Sequence, residues 1–127
     1  MPTLLHEFFA RAAARWPDEV ALDIPPGADR PDRATLTYAE LDAAAAAIAA
    51  RLPAAATPDA LVAVLVRRNS PWLLASQLGT LRAGAAFTCL EPSFPDAQLH
   101  ALVGGAAPVA VVADAIGAAR LTALGVA

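Results

Sequence analysis

The amino-acid sequence predicts an α/β fold in which an N-terminal helix and a short hairpin precede a parallel βαβαβ doubly wound unit. Three observations carry this expectation. Apolar runs of strand length near residues 60–66, 86–90 and 108–113 alternate with stretches of helical periodicity, the pattern of strands joined by crossover helices. The first run, Ala60–Val66, is continuously apolar, which suits a strand covered on both faces. Cap residues and breakers then punctuate the alternation, with Ser70-Pro71 opening one helix and Gly84 closing it.

The elements follow in order. Thr3 is placed to cap a first helix, along which Leu5, Phe8, Phe9, Ala12 and Trp16 recur as one apolar stripe. Glu7 and Arg11 stand four apart in the favourable order for a helix ion pair. Pro17 ends the helix, because the residue before a proline avoids helical backbone. Val20–Ile24 and Ala34–Thr37 read as short strands of a hairpin around the Pro-, Gly- and Asp-rich loop Pro25–Arg33. Thr37-Tyr38-Ala39-Glu40 is a capping box, and the helix after it presents Leu41, Ala44, Ala45, Ile48 and Leu52 on one face. Pro53 stops it, and Ala54–Asp59 reads as a linker. After the first parallel strand, the helix opened by Ser70 runs to about Ala83. A second strand, Ala86–Leu90, leads through a turn to a helix from Pro95 or Asp96 that Gly104 and Gly105 end. Asp114 caps a last helix to about Leu124. One domain is expected over 1–127, divided into a helix–hairpin–helix lead-in (1–57) and a parallel α/β unit (58–127).

Composition narrows function. The 127 residues carry 9 basic and 12 acidic side chains for a net charge of −3, and 57% are apolar. Every basic residue is Arg; the chain has no Lys. The slightly acidic balance argues against nucleic-acid binding by phosphate neutralisation. A single Cys excludes an internal disulfide and a cysteine-rich zinc site. Without Lys there is no Walker A loop and no Schiff-base lysine. No apolar run approaches the roughly 20 residues of a membrane-spanning helix, and the first ten residues do not resemble a signal peptide, so a cytoplasmic location is expected. Heavy use of Ala and Arg suggests a bacterial source.

No residue cluster reads as an active site. Gly79 and Gly84 have the spacing of a phosphate loop, but Ala85 and Ala86 stand where it needs Lys and Ser/Thr. Close helix packing at Gly79 and a helix C-cap at Gly84 are the preferred readings. His6 and His100 have no metal-ligand spacing and read as surface or partly buried residues. Cys89 reads as a structural thiol in a buried strand, and Trp16 and Trp72 as core or interface aromatics. Ser70 and Ser93 read as caps. Arg67, Arg68 and Asn69 follow the first parallel strand, and Glu91 and Asp96 flank the turn after the second. That is where ligands of such sheets gather, although exposed loop charges are the preferred reading.

Several segments resemble one family. Leu36-Thr37-Tyr38-Ala39-Glu40-Leu41 matches the first core motif of the amino-acid adenylation domains of nonribosomal peptide synthetases. Leu81-Arg82-Ala83-Gly84-Ala85-Ala86-Phe87, followed by Leu90-Glu91-Pro92-Ser93-Phe94-Pro95, resembles their second motif and the turn after it. Leu5-His6-Glu7-Phe8-Phe9, Trp16-Pro17-Asp18 and Val20-Ala21-Leu22 resemble the family's lead-in. The match extends over essentially the whole chain. It departs at Arg82, where the family usually has Lys, at Cys89 (Pro) and at Glu91 (Asp). The broader acyl-activating relatives share the fold but match these motifs less well.

The resemblance implies an N-terminal portion of an adenylation domain and thus a partial adenylation-domain fold. The whole enzyme would join an amino acid to ATP, with Mg, and load the product onto a carrier protein in antibiotic or secondary-metabolite biosynthesis. The family's phosphate loop, substrate-pocket segments, ribose-binding aspartate, hinge and catalytic lysine match nothing in the 127 residues. The chain alone is therefore expected to be inactive, with no catalytic, cofactor-binding or metal residues. Thr37, Tyr38, Glu40, Leu41 and Gly84 carry only a structural motif. Expected partners are the remainder of the domain, a neighbouring synthetase module, or a second copy meeting it through an exposed interface; nucleic acid and membrane are not. Two alternatives stay open: a non-enzymatic docking module in an assembly line, and one half of a split adenylating enzyme.

Overall fold

The computed structural model describes residues 4–27, 32–53 and 60–125. Ten elements follow one another: α1 (Leu5–Arg15), β1 (Val20–Ile24), β2 (Ala34–Thr37), α2 (Tyr38–Arg51), β3 (Leu61–Leu65), α3 (Pro71–Arg82), β4 (Ala86–Cys89), α4 (Asp96–Ala106), β5 (Ala110–Ala113) and α5 (Ala115–Ala123). The α/β class and the order of elements are those expected from the sequence. The linker 54–59 and Thr3 lie outside the described residues.

β1 and β2 form an antiparallel pair, with Val20 opposite Thr37 and Ile24 opposite Ala34. The other three strands form a parallel sheet in the order β4-β3-β5. Leu61 lies opposite Ala86, and Val62 opposite Ala110. The chain therefore leaves β3 through α3 to one side, then returns through α4 to the other, as a doubly wound sheet does. Both faces of β3 are covered. Ala63 and Leu65 pack with Leu90, Leu99, Val103 and Leu121, while Val62, Val64 and Val66 are buried on the alternate face.

α2 and α3 meet without a gap because Gly79 has no side chain. A Cβ there would lie 2.7 Å from the Ala45 carbonyl oxygen and from Ile48 Cβ. α3 ends in a Schellman turn: Ala85 N–H donates to Thr80 O, Gly84 N–H donates to Leu81 O, and Gly84 sits at φ +85°.

Several expectations are corrected. The N-cap of α1 is Leu4, whose amide donates to Glu7 Oε2 at 3.4 Å. With Glu7 turned to the helix start, Arg11 lies over the Phe8 ring instead of pairing with that carboxylate. The α1 stripe does not all face the core, since Leu5 is 73% and Phe8 59% exposed. Gly104 and Gly105 do not end α4. It continues to Ala106 and stops at Ala107, whose left-handed φ of +46° precedes Pro108. Cys89 is exposed, because it is the last residue of an edge strand. Trp16 and Trp72 are not core residues; both are about half exposed.

Candidate functional site

The carboxyl ends of β3, β4 and β5 bring Arg67, Arg68 and Glu91, three of the loop residues singled out from the sequence, together with Asp114. Arg67 and Arg68 follow the central strand and reach opposite neighbours. Arg68 Nε donates to Glu91 Oε2 at 3.0 Å, tying the end of β3 to that of β4. Arg67 N–H donates to Asp114 Oδ2 at 3.2 Å, and its guanidinium lies 3.7 Å from the same oxygen. The second Asp114 oxygen, Oδ1, accepts from Gly117 N–H at 2.8 Å and caps α5. Asp114 thus closes the crevice between β3 and β5, where the crossovers diverge to opposite faces and doubly wound sheets admit ligands. Asp96 is not part of this cluster. It accepts from Arg120 Nε at 2.8 Å, while the other Arg120 nitrogens donate to Pro92 O and Phe94 O at 2.7 and 2.5 Å.

These polar groups are spent on one another. At the start of α3, Ser70 Oγ accepts from Trp72 N–H, Leu73 N–H donates to Ser70 O, and Pro71 has no N–H.

An apolar cleft of about 320 Å³ lies beside the Asp114 clamp, lined by Ile48, Val66, Trp72, Ser76 and residues 112–115. The polar side chains on its wall are bonded internally: Ser76 Oγ donates to Trp72 O at 2.5 Å, and both Asp114 oxygens accept hydrogen bonds. Trp72 stands 51% exposed at its edge. β5 forms one side and pairs only with β3, leaving its outer edge without a strand partner among the described residues. A second opening of about 300 Å³ continues along it between α2 and residues 110–113. Chemically, this surface can bury apolar side chains and pair with another strand. Sequence reasoning missed it because Ile48, Trp72 and Val112 come together only through the strand order.

The remaining motif residues hold α2. Glu40 N–H donates to Thr37 Oγ1 at 3.1 Å, and Thr37 N–H donates to Glu40 Oε1 at 2.9 Å. Two further first-turn amides, Tyr38 N–H and Ala39 N–H, donate to Glu19 O and Pro17 O at 2.9 Å each. The Tyr38 ring lies 5.8 Å from that of Phe9, and Leu41 is buried against the interior. This turn therefore ties α1 and β1 to α2. His100 is exposed and His6 half-buried. Among the described residues, no three His, Cys, Asp or Glu side chains are grouped to hold a metal.

The comparisons agree with this architecture. The family model for AMP-binding enzymes matches residues 9–125. The chain is 38% identical over 123 residues to the AMB antimetabolite synthetase AmbB of Pseudomonas aeruginosa, covering 96% of this chain and 9% of that protein. It is 37% identical over 99 residues to tyrocidine synthase 3 of Brevibacillus parabrevis, covering 77% of this chain and 1% of the synthase. Among solved structures, the complex of VinN with L-aspartate superposes with a TM-score of 0.77 at 26% identity, over 96% of this chain and 33% of VinN. The N-terminal subdomain of Klebsiella oxytoca NpsA shares the fold, with a TM-score of 0.72 at 24% identity over 91% of this chain and 28% of that one. The chain thus spans a small part of each protein it matches. It belongs to the AMP-binding enzyme family and corresponds to the N-terminal part of an adenylation domain of the nonribosomal peptide synthetase type.

Proposed function

We propose that this chain is the scaffold portion of an amino-acid adenylating enzyme and contributes packing surface rather than reacting groups. The observation that carries this reading is the apolar cleft beside the open edge of β5, where the Ser76 and Asp114 side chains on its wall are bonded internally. Such a surface suits a neighbouring part of the same enzyme. In this reading residues 1–57 form the lead-in and 58–127 the parallel unit. Thr37, Tyr38, Glu40, Leu41 and Gly84 hold the frame. ATP and Mg bind the complete enzyme through other residues. That enzyme activates an amino acid, releases pyrophosphate and loads a carrier protein, in the cytoplasm of a bacterium, for secondary-metabolite synthesis. Taken alone, the 127 residues pair with a second copy through the same open edge.

The test is amino-acid-dependent pyrophosphate exchange. We expect background rates from the chain alone, and activity when it replaces the matching segment of an AmbB adenylation domain. Turnover by the isolated chain, or micromolar ATP binding to it, would overturn the reading. Sedimentation of the isolated chain checks the pairing: a strict monomer at high concentration counts against an open apolar edge.

A further inference from the structure

We propose that the outward face of α1 is a docking surface for an acidic amphipathic helix of a partner protein or domain. Leu4, Phe8, Arg11 and Arg15 succeed one another at gaps of four, three and four residues, so they line one side of the helix. Leu5 and Trp16 border that line. The helix is held to the body from elsewhere, with Phe9 against Tyr38. Leu4, Leu5 and Phe8 are each more than half exposed, and no residue of α1 is buried. The face shares no residue with the cleft beside β5, so the two surfaces can be tested separately.

Charge identifies the occupant. Arg11 lies 5.9 Å above the Phe8 ring and Arg15 4.8 Å from that of Trp16. The ion pairs among the described residues belong to Arg33, Arg67, Arg68, Arg82 and Arg120. Arg11 and Arg15 have none, and Glu7, the one carboxylate on α1, faces the Leu4 amide. An acidic protein thus carries a local surface that is apolar at one end and cationic at the other. A partner helix with apolar side chains against Leu4, Leu5 and Phe8 and carboxylates on Arg11 and Arg15 satisfies both ends. A second copy of α1 fits less well, because it would gather four guanidinium groups with no carboxylate facing them. A lipid surface fits less well too, since stable attachment needs more than three apolar side chains and two cations.

The test titrates the full 127-residue chain with a synthetic helical peptide of Leu and Glu at amphipathic spacing, followed by backbone amide shifts. Saturable shifts confined to residues 4–16 are expected. The double variant Arg11→Glu, Arg15→Glu, at two exposed positions, should weaken binding by about tenfold or more. Replacing the peptide's Glu with Lys should restore binding to that variant. Shifts elsewhere, no saturation, or indifference to charge reversal would overturn the proposal. So would α1-dependent binding to vesicles of equal phosphatidylcholine and phosphatidylglycerol by a chain that ignores the peptide, or self-association through α1.

Discussion

The Cβ that Gly79 lacks would stand 2.7 Å from Ile48 Cβ, so α2 and α3 approach as closely as side chains permit. Gly79→Ala gains helix propensity but forces the two helices apart, and overpacking dominates with a loss of about 1–3 kcal/mol. Gly104 lies inside α4 with nothing within 4 Å of the same virtual atom. Gly104→Ala should therefore gain about 1 kcal/mol. Urea unfolding midpoints at unchanged slope check both, and the two substitutions should move them in opposite directions.

Arg120 holds the turn after β4 by donating to Pro92 O, Phe94 O and Asp96 Oδ1 at once. Arg120→Met keeps much of the stem and removes the fork, and should cost about 2–3 kcal/mol. Arg120→Lys should recover little, because an ammonium cannot reach three acceptors set around a planar group. Thermal unfolding reads the loss, and faster amide exchange in residues 92–96 would locate it at the turn.

Thr80 is fully buried in α3, and its hydroxyl has no hydrogen-bond partner among the described residues. Thr80→Val keeps the shape and removes the unpaired oxygen. A stabilisation of about 1–2 kcal/mol is expected, read from denaturant unfolding. A loss of stability would show that the hydroxyl is satisfied.

Ala107 ends α4 at φ +46°, in the region that favours glycine. Ala107→Gly should gain about 1 kcal/mol by relieving the left-handed cap, less some unfolded-state entropy. A matched gain at Gly84→Ala would contradict the argument, since Gly84 already occupies that region at φ +85° and alanine there should destabilise.

Misreadings at α1 and at Cys89 share a cause. Leu5, Phe8 and Phe9 all fit one helical stripe, yet only Phe9 finds a ring to pack against, because helical periodicity defines a face but not the width of its neighbour. Cys89 sits in an apolar run, but the run becomes an edge strand and its last residue faces outward. The Glu7–Arg11 spacing was suitable for an ion pair, and the competing partners, the Leu4 amide and the Phe8 ring, lie within the same turns. In the candidate site, Arg67, Arg68 and Glu91 were legible as charges after strands. Asp114 was legible only as a cap, and its bond to Arg67 joins residues 47 apart.

Local chemistry alone determined the order and type of the elements, together with the Thr37, Ser70 and Asp114 caps and the Gly84 turn. Each depends on backbone groups within a few residues, which adjacent side chains satisfy or leave open. The tertiary structure decided that β5 returns beside β3 instead of β4, that Asp114 thereby meets Arg67, and that an apolar cleft and the outer face of α1 remain uncovered. Those outcomes depend on which distant surfaces bury each other, a competition among long-range contacts that no short window of sequence contains.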